Sequence, residues 1–159
     1  VSERWVYYCC GQLNRVCNRM IAMPSYRNRA LGLQLFRYQI SGFLHWGYNY
    51  WFNYLSRKPI NPFFTTDAGQ NFPAGDPFLV YPGKDGCPMP SIRQLVLFDA
   101  LQDLRALQLL AEAEGFEKTA EWLESEIGYK ISFTDYPHST KYFYELREAI
   151  NRRICETLQ

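Results

Sequence analysis

The stretch Gly42-Phe-Leu-His-Trp-Gly-Tyr-Asn-Tyr-Trp51 decides the predicted fold of this chain. It begins where the Ser41-Gly42 pair ends a helical pattern, and we predict it as a strand. Its residues are apolar at both alternating sets of positions, which is typical of a strand in a parallel sheet that is covered on both faces. The stretch therefore predicts an α/β protein.

Further strands and helices are predicted on both sides of this stretch. The predicted strands are residues 4–10, 42–51 and 76–82. The predicted helices are residues 26–40, 91–114, 117–127 and 140–158. Right-handed crossover connections would make the strands parallel, so the order predicts three parallel strands with two helices appended at the end. Three parallel strands leave two open edges that need cover, which implies a larger sheet.

The connections are predicted from glycine, proline and the loss of periodicity. Residues 11–23 are predicted as a loop and residues 83–90 as a turn. Residues 53–75 show no period, and so long a connection in a compact domain suggests a functional loop. Ser91 is the predicted cap of the long helix, and Gly115 is its predicted end.

The composition is that of a globular protein. The 159 residues are 47% hydrophobic and 21% charged, which excludes disordered and low-complexity classes and predicts one domain. No run approaches the roughly 18 apolar residues of a membrane helix, because polar side chains interrupt residues 32–54. We therefore expect no membrane partner.

Charge is divided unevenly along the chain, although the net charge is only +1. Residues 1–60 carry eight Lys or Arg side chains and one acid, whereas residues 61–159 carry nine and fifteen. The early arginines are dispersed and form no RNA-binding signature, so an RNA-binding domain is the weakest function considered and no nucleic-acid partner is expected. We expect the basic part to pair with acidic surface, either in the second part or outside this chain.

The cysteines and histidines indicate no metal site and no cofactor. Five cysteines is an odd number, and their spacing matches neither a zinc motif nor a disulfide framework. We expect buried thiols in a reducing compartment, which favours the cytoplasm, and a strained disulfide between Cys9 and Cys10 is the alternative. His45 and His138 are too few and too far apart in sequence to build a metal site.

Aromatic residues are in excess and unevenly placed. They make up 17% of the chain, and fourteen of the 46 residues from Phe36 to Tyr81 are aromatic. Buried Tyr and Trp side chains need hydrogen-bond partners, so this density suits a pocket that is partly apolar and partly hydrated. A carbohydrate site has that character, although a plain core is the commoner use of any single aromatic side chain.

Three blocks, in this order, carry a resemblance to a known family. They are residues 42–51, the segment Gly75-Asp-Pro-Phe-Leu-Val-Tyr-Pro-Gly83, and Ser91-Ile-Arg93 at the start of the long helix. Together with a weaker segment at the first strand, they make residues 5–110 resemble the C-terminal part of the glycoside hydrolase family 123 catalytic domain.

This resemblance implies a (β/α)8 barrel of the TIM type that removes N-acetyl-galactosamine-type sugars by substrate-assisted hydrolysis. In that mechanism the acetamido oxygen of the sugar attacks the anomeric carbon, an Asp orients the acetamido group, and the adjacent Glu is the general acid. That pair lies upstream of the blocks matched here, and no Asp is followed by Glu in this chain. The resemblance therefore implies a C-terminal barrel fragment without a catalytic residue, whose sheet edges the upstream chain or a second copy covers.

The resemblance also implies which residues contact the sugar, because active sites of such barrels lie at the carboxyl ends of the strands. The expected contacts are Trp46, Trp51, Asn49, Tyr48, Tyr81 and Tyr7. The two tryptophans would stack on the sugar, while Asn49 and Tyr48 would bond its hydroxyl or acetamido groups. Regular alternation puts Trp46 and Asn49 on opposite faces, so both serve only if the strand ends between them.

The long helix and His45 differ from the family pattern, and we expect structural roles for three of their residues. The long helix retains Arg93, Asp99 and Asp103, but residues around them differ from those of the family. The two aspartates lie four residues apart on one helix face, and we expect ion-pair or capping roles for them. His45 stands where relatives often have an aromatic residue, and we expect it to be a hydrogen-bonded core residue.

The sequence thus predicts two parts, a barrel portion over residues 1–115 and an appended helical segment over residues 116–159 that packs on it. The expected function is that of a hydrolase fragment that supplies sugar-stacking walls. The alternative is a non-catalytic carbohydrate-binding or scaffold module built from the same aromatic surface. In both cases the expected ligand is a carbohydrate.

Overall fold

A computed structural model of the chain describes residues 3–69 and 72–159. Its elements in chain order are β1 (Trp5–Tyr8), α1 (Tyr26–Arg37), β2 (Gly42–His45), a 3-10 turn (Tyr54–Ser56), β3 (Val80–Pro82), β4 (Pro88–Pro90), α2 (Ile92–Glu114), α3 (Phe116–Ile127) and α4 (Thr140–Thr157). Over the described residues the protein is a mixed α/β structure with four helices and few, short strands. The four predicted helices are confirmed, with ends that differ by three residues or fewer.

Strands β1 and β2 form a parallel pair joined through helix α1, as the sequence predicts. Trp5 pairs with Gly42, and Tyr8 pairs with His45. Alternation sends Tyr8 to the face that packs against α1 in the main hydrophobic cluster. Trp5, 62% exposed, and Leu44, 52% exposed, lie on the opposite face. The described residues leave this face open, contrary to the expectation of a sheet covered on both sides.

Strand β2 ends at His45, well before the predicted end at Trp51. Gly47 is buried, and a Cβ on it would lie 2.6 Å from the carbonyl oxygen of Pro77. This close backbone approach takes the chain out of the parallel pair, and Asn49 then forms an antiparallel bridge with Phe78. The alternation of side chains in sequence gives no sign of such an approach, which is why the strand was predicted too long.

The prediction of three parallel strands is wrong. Strand β3 pairs antiparallel with β4, Val80 lying opposite Pro90, and the two form a separate ribbon within the described residues. Residues 83–90, predicted as a turn, contain both the turn and β4. Residues 84–86 form a three-residue hairpin loop, and Gly86 at its end has the positive φ of 75° that such loops place on glycine.

The long connection between β2 and β3 is irregular, as predicted, yet it contains local order. Phe52 bridges Pro59, and the Asn53 side chain accepts a hydrogen bond of 2.7 Å from the backbone N–H of Lys58. Gln70 and Asn71, which belong to the predicted loop over residues 53–75, lie outside the described residues. Side-chain and backbone bonds thus hold much of this connection in a defined conformation.

Helix α1 lies at the centre of the structure. Gly32 faces α2, where a Cβ would lie 2.1 Å from the carbonyl oxygen of Ala100, so glycine allows the two helices to approach closely. Leucines of α1, α2 and α3 share one buried cluster with Phe143 and Ile150 of α4. Helices α3 and α4 therefore pack on the same core as the helices before them. None of the helices in the described part of the chain is long and apolar enough to cross a membrane.

Early arginines pair with acids of the second part of the chain, as the uneven charge predicts. The Arg29 guanidinium lies 2.7 Å from the Asp103 carboxylate, and the Arg37 guanidinium lies 2.7 Å from that of Glu124. Asp103 also binds Arg147 of α4 at 3.0 Å, which confirms the ion-pair role expected for this aspartate.

The thiols only partly follow the sequence expectation. All five cysteines are free, so the alternative of a Cys9–Cys10 disulfide does not apply. Cys17 is buried, and that burial raises the pKa of its thiol to about 12. Cys87 and Cys155 are exposed, so the expectation that the cysteines are buried is wrong for these two.

Candidate functional site

The carboxyl ends of β1 and β2 hold a buried cluster that we call the Asp76 cluster, formed by Asp76, His45 and Trp46. Asp76 is 1% exposed. Its Oδ2 accepts a hydrogen bond of 2.8 Å from the indole Nε1–H of Trp46, and its Oδ1 lies 3.3 Å from His45 Nε2. His45 Nδ1 lies within hydrogen-bond distance of the Gly47 N–H, at 3.3 Å, and of the Gly47 carbonyl oxygen, at 3.1 Å. His45 is thus the hydrogen-bonded core residue that the sequence led us to expect.

Arg93, at the start of α2, ties the loops around this cluster to the helix. Its Nη1 donates to the carbonyl oxygens of Arg19 and Gly75, each at 2.7 Å, and its Nη2 donates to that of Phe78 at 2.7 Å. Burial lowers the pKa of Arg93. Its donors therefore serve to position the backbone on both sides of Asp76.

Arg19 lies beside this clamp, on the loop that follows β1. It is 4% exposed, and its guanidinium carbon lies 4.9 Å from the centre of the Phe43 ring. Burial and the neighbouring positive charge of Arg93 lower the pKa of Arg19 to about 10, while the charge of Asp76 opposes that shift. The loop after β1 thus brings a second buried cation to the same end of the strands.

Tyr7 belongs to the same end of the sheet, on its open face. Partial burial raises the pKa of Tyr7, and a hydrogen bond to Cys9 and the negative charge of Asp76 act in the same direction. The hydroxyl of Tyr7 is therefore within electrostatic reach of the Asp76 carboxylate.

Aromatic rings of the long connection cover Trp46. The centre of its ring lies 5.2 Å from that of Tyr50 and 4.8 Å from that of Phe72. Tyr54 also contacts Phe72, with 6.2 Å between the ring centres. The ring of Trp46 is thus held both by its N–H bond to Asp76 and by its aromatic neighbours.

A second group of predicted residues lies where residues 48–51 run along residues 78–81. Trp51 donates its indole N–H to the carbonyl oxygen of Val80 at 3.0 Å. The hydroxyl of Tyr48 accepts a hydrogen bond of 2.6 Å from the Gln94 side chain. The ring of Tyr81 lies 4.9 Å from that of Phe63, centre to centre. These contacts hold the second group against the start of α2.

The region that carries both groups is matched by a family model. The model, described as glycoside hydrolase 123, catalytic domain, matches residues 2–110. The chain belongs to this family. Among curated proteins, none matches the chain. The match confirms the resemblance carried by residues 42–51 and 75–83 and the start of α2, and it stops within α2, before α3 and α4.

Within this glycoside hydrolase 123 domain, the six predicted contact residues fall into two groups rather than one wall. Trp46 donates a hydrogen bond to Asp76, and Tyr7 lies at the same end of the sheet on its open face. The remaining four, Trp51, Tyr48, Asn49 and Tyr81, lie along the contact between residues 48–51 and 78–81. The strand ends before Trp46, so alternation does not force Trp46 and Asn49 to opposite faces. That these six side chains contact a sugar stays a prediction.

Sequence reasoning missed Asp76 and Arg19. Asp76 is the first residue of the predicted strand 76–82 and not at its carboxyl end, where site residues of such barrels are expected, although it stands inside the block Gly75-Asp-Pro that carries the family resemblance. Arg19 stands in a predicted loop, and no local pattern distinguishes it from the other early arginines. Only the folded loops show that these two residues are buried at one place.

The chemistry available at this end of the domain is stacking and hydrogen bonding. The Asp76 carboxylate accepts a hydrogen bond from Trp46 through Oδ2, while its Oδ1 has no hydrogen-bond partner among the described residues. Over the described residues, no three His, Cys, Asp or Glu side chains lie close enough to hold a metal ion. A cavity of about 810 Å³ lined by Arg4, Ser41 and their neighbours lies at the amino ends of β1 and β2, away from this site.

Proposed function

We propose that this chain is the C-terminal part of a glycoside hydrolase 123 barrel that acts on N-acetyl-hexosamine-type sugars by substrate-assisted hydrolysis. The chain supplies walls of the sugar site, and the Asp-Glu pair of the mechanism belongs to another part of the barrel. The observation that carries this proposal is the β1–α1–β2 unit inside the family match, with stacking and hydrogen-bonding side chains gathered at its carboxyl ends.

Two features favour a place in a larger barrel. A parallel strand pair joined by a helix is the repeating unit of (β/α)8 barrels, whose interior is filled by side chains from all strands. The open face of β1 and β2 carries Trp5 and Leu44, and α2 exposes an apolar stripe at a spacing of three residues. The stripe consists of Ile92, Leu95, Phe98 and Leu101. Burial of both surfaces against further strands and helices would stabilise the domain by about 25 cal/mol for each Å² of apolar area removed from water.

In this proposal the barrel portion is residues 1–115, and residues 116–159 are an appended helical segment. The uncovered surfaces lie on β1, β2 and α2, all within the barrel portion. The upstream chain or a second copy of this chain would cover them. Helices α3 and α4 pack against α2 and share its buried cluster with α1.

The proposed sugar contacts follow from which atoms are already used. Trp46 and Trp51 donate their indole N–H groups to Asp76 and to the Val80 carbonyl, so a ligand would contact the parts of the two rings that their neighbours leave uncovered. Sugar C–H faces stack on such rings. Tyr48 and Asn49 are exposed and offer polar groups for hydroxyl or acetamido atoms, and Tyr7 and Tyr81 complete the proposed contacts.

The proposed fragment does not hydrolyse sugars by itself. General acid catalysis requires a carboxyl group within hydrogen-bond reach of the leaving oxygen. Asp76 is 1% exposed and accepts a hydrogen bond from Trp46, and no Asp-Glu dipeptide occurs in the chain. The same observation favours the second candidate, a non-catalytic carbohydrate-binding module that uses the same aromatic residues.

Titration with N-acetyl-galactosamine, followed by tryptophan fluorescence, tests sugar binding. We expect saturable quenching whose midpoint rises about tenfold in Trp46→Ala and Trp51→Ala, which corresponds to the ~1.4 kcal/mol expected for one stacked ring. Trp122→Ala, on α3 and far from the site, is the matched control and should leave the midpoint unchanged. A folded chain that shows no sugar response contradicts the binding module.

Hydrolysis of an aryl N-acetyl-galactosaminide separates the two candidates. The proposed fragment gives no turnover alone, but a longer chain that adds the upstream barrel strands gives turnover. Turnover by residues 1–159 at a rate like that of the longer chain would show that the argument from the missing acid is wrong. A longer chain that binds sugar without turnover would favour the binding module.

A further inference from the structure

Arg19 carries a hydrogen-bonding edge that the described residues leave unused. Its Nε and Nη2 atoms are buried and have no hydrogen-bond partner in the described part of the chain. A buried cation without a partner pays its full desolvation cost, so such groups are paired in native proteins. The unused edge therefore indicates a partner that the described residues do not supply.

Two other arginines of this protein show what the same edge binds. Arg29 places Nε and Nη2 at 2.7 and 3.3 Å from the two carboxylate oxygens of Asp103. Arg153 places the same two atoms at 2.9 and 2.8 Å from the oxygens of Glu114. Both are side-on bidentate pairs, the geometry in which a guanidinium matches a planar carboxylate. Arg19 presents the same pair of N–H groups without the carboxylate.

The charges around Arg19 favour an anion over a neutral group. Arg19 and Arg93 are two guanidinium groups at one buried place, and Asp76 is the carboxylate that acts on Arg19 there. One carboxylate oxygen of Asp76 accepts a hydrogen bond from Trp46, and the other oxygen faces His45. Arg93 donates to backbone carbonyls, which carry no net charge. The two guanidinium groups and the single carboxylate therefore leave one positive charge without a counter-charge. A single carboxylate would balance it.

The guanidinium is also held in place before any ligand arrives. The Phe43 ring lies beneath it at 4.9 Å, and the Arg19 carbonyl is fixed by Arg93 Nη1. The Asn18 side chain accepts a hydrogen bond of 2.8 Å from the Arg19 N–H. A fixed donor pair binds with little loss of side-chain freedom, which strengthens recognition.

We infer that the Nε–Nη2 edge of Arg19 is a carboxylate-binding site at the carboxyl ends of β1 and β2. The carboxylate comes either from an acidic sugar or from an acidic side chain of a neighbouring polypeptide segment. The first source rests on the proposed function, and the second does not.

The test follows the arginine Nε–H resonances of the full chain by nitrogen-15 NMR during titration with sodium acetate, against sodium chloride at equal ionic strength. We expect a saturable shift of the Arg19 resonance with acetate and none with chloride. Acetate should also raise the melting temperature saturably, an effect lost in Arg19→Met and kept in Arg57→Met, the matched substitution at an exposed arginine. If Arg19→Met does not fold, the NMR titration of the unmodified chain decides alone.

Galacturonate distinguishes the two sources. Binding at least ten times tighter than that of acetate assigns the site to an acidic sugar, whereas equal binding assigns it to a carboxylate side chain. The absence of a saturable Arg19 shift with both probes, or an equal shift with chloride, overturns the inference. The proposed function is tested by neutral N-acetyl-galactosamine, so the failure of one leaves the outcome of the other visible.

Discussion

Replacement of Asp103 by alanine should be the most damaging single change in the helical core. Asp103 is 2% exposed and accepts hydrogen bonds from Arg29 at 2.7 and 3.3 Å and from Arg147 at 3.0 Å. The Arg29 side chain is itself only 8% exposed. Asp103→Ala therefore leaves a buried guanidinium for which the described residues record no other acidic partner.

The expected loss of stability follows from the two arginines that pair with Asp103. Removal of one member of a buried ion pair costs about 3–5 kcal/mol, because the remaining charge stays out of water. For a domain of this size, each 1 kcal/mol lowers the melting temperature by about 2–4 °C, so Asp103→Ala should lower it by about 10 °C. Arg147→Met should cost only about 1 kcal/mol, since that side chain is 29% exposed and solvent screens its charge.

Urea unfolding followed by far-UV circular dichroism measures these changes. Asp99→Ala is the matched control, because Asp99 lies one turn earlier on the same helix and has no ion pair among the described residues. Its effect should stay within about 0.5 kcal/mol. A loss of stability in Asp103→Ala no larger than that in Asp99→Ala would refute the reasoning from burial and pairing.

Three further outcomes are expected. Gly47→Ala should destabilise the domain by about 1–3 kcal/mol in the same urea assay, because the added Cβ meets the backbone of residues 76–77. Gly11→Ala is the control and should be neutral, because a Cβ at Gly11 meets nothing within 4 Å. Hydrogen bonds from arginine and lysine lower the pKa of Glu114. The stability that this carboxylate contributes is therefore present above the ordinary glutamate pKa and is lost as the pH falls through the lowered value. Glu114→Gln should flatten the fall in the free energy of unfolding between pH 5 and 3. Iodoacetamide at pH 8 should label the two exposed cysteines quickly and Cys17 only after unfolding, and rapid native labelling of Cys17 would contradict its burial.

The helices and the first parallel pair could be predicted because local signals agree with the fold. Ser91 caps α2 by accepting a hydrogen bond from the N–H of Gln94, as its position before an apolar repeat indicates. The end of β2 could not be predicted, because it depends on the contact of Gly47 with a segment about 30 residues away. Long-range backbone contacts leave no period in the sequence.

The candidate site shows the same division. The family resemblance pointed to Trp46 and its neighbours, and the structure places them at the carboxyl ends of β1 and β2. Asp76 and Arg19 were not predicted as site residues because their importance lies in burial. Both residues lie on loops, and only the folding of these loops excludes water from their side chains.

The environment of α1 explains why the segment after the family match belongs to the same folding unit. Every residue from Asn28 to Phe36 in α1 is buried, so this helix is covered on all sides and not on one stripe. The sheet and α2 cover two sides, and residues of α3 and α4 complete the cluster. Two polar contacts join residues that are far apart in sequence. Gln34 donates a hydrogen bond to the Ser132 carbonyl, and the Asp103 carboxylate pairs with both Arg29 and Arg147. Removal of the last two helices would therefore expose both a hydrophobic face and a buried ion pair, so the family-matched helices and the appended helices stabilise each other through one core.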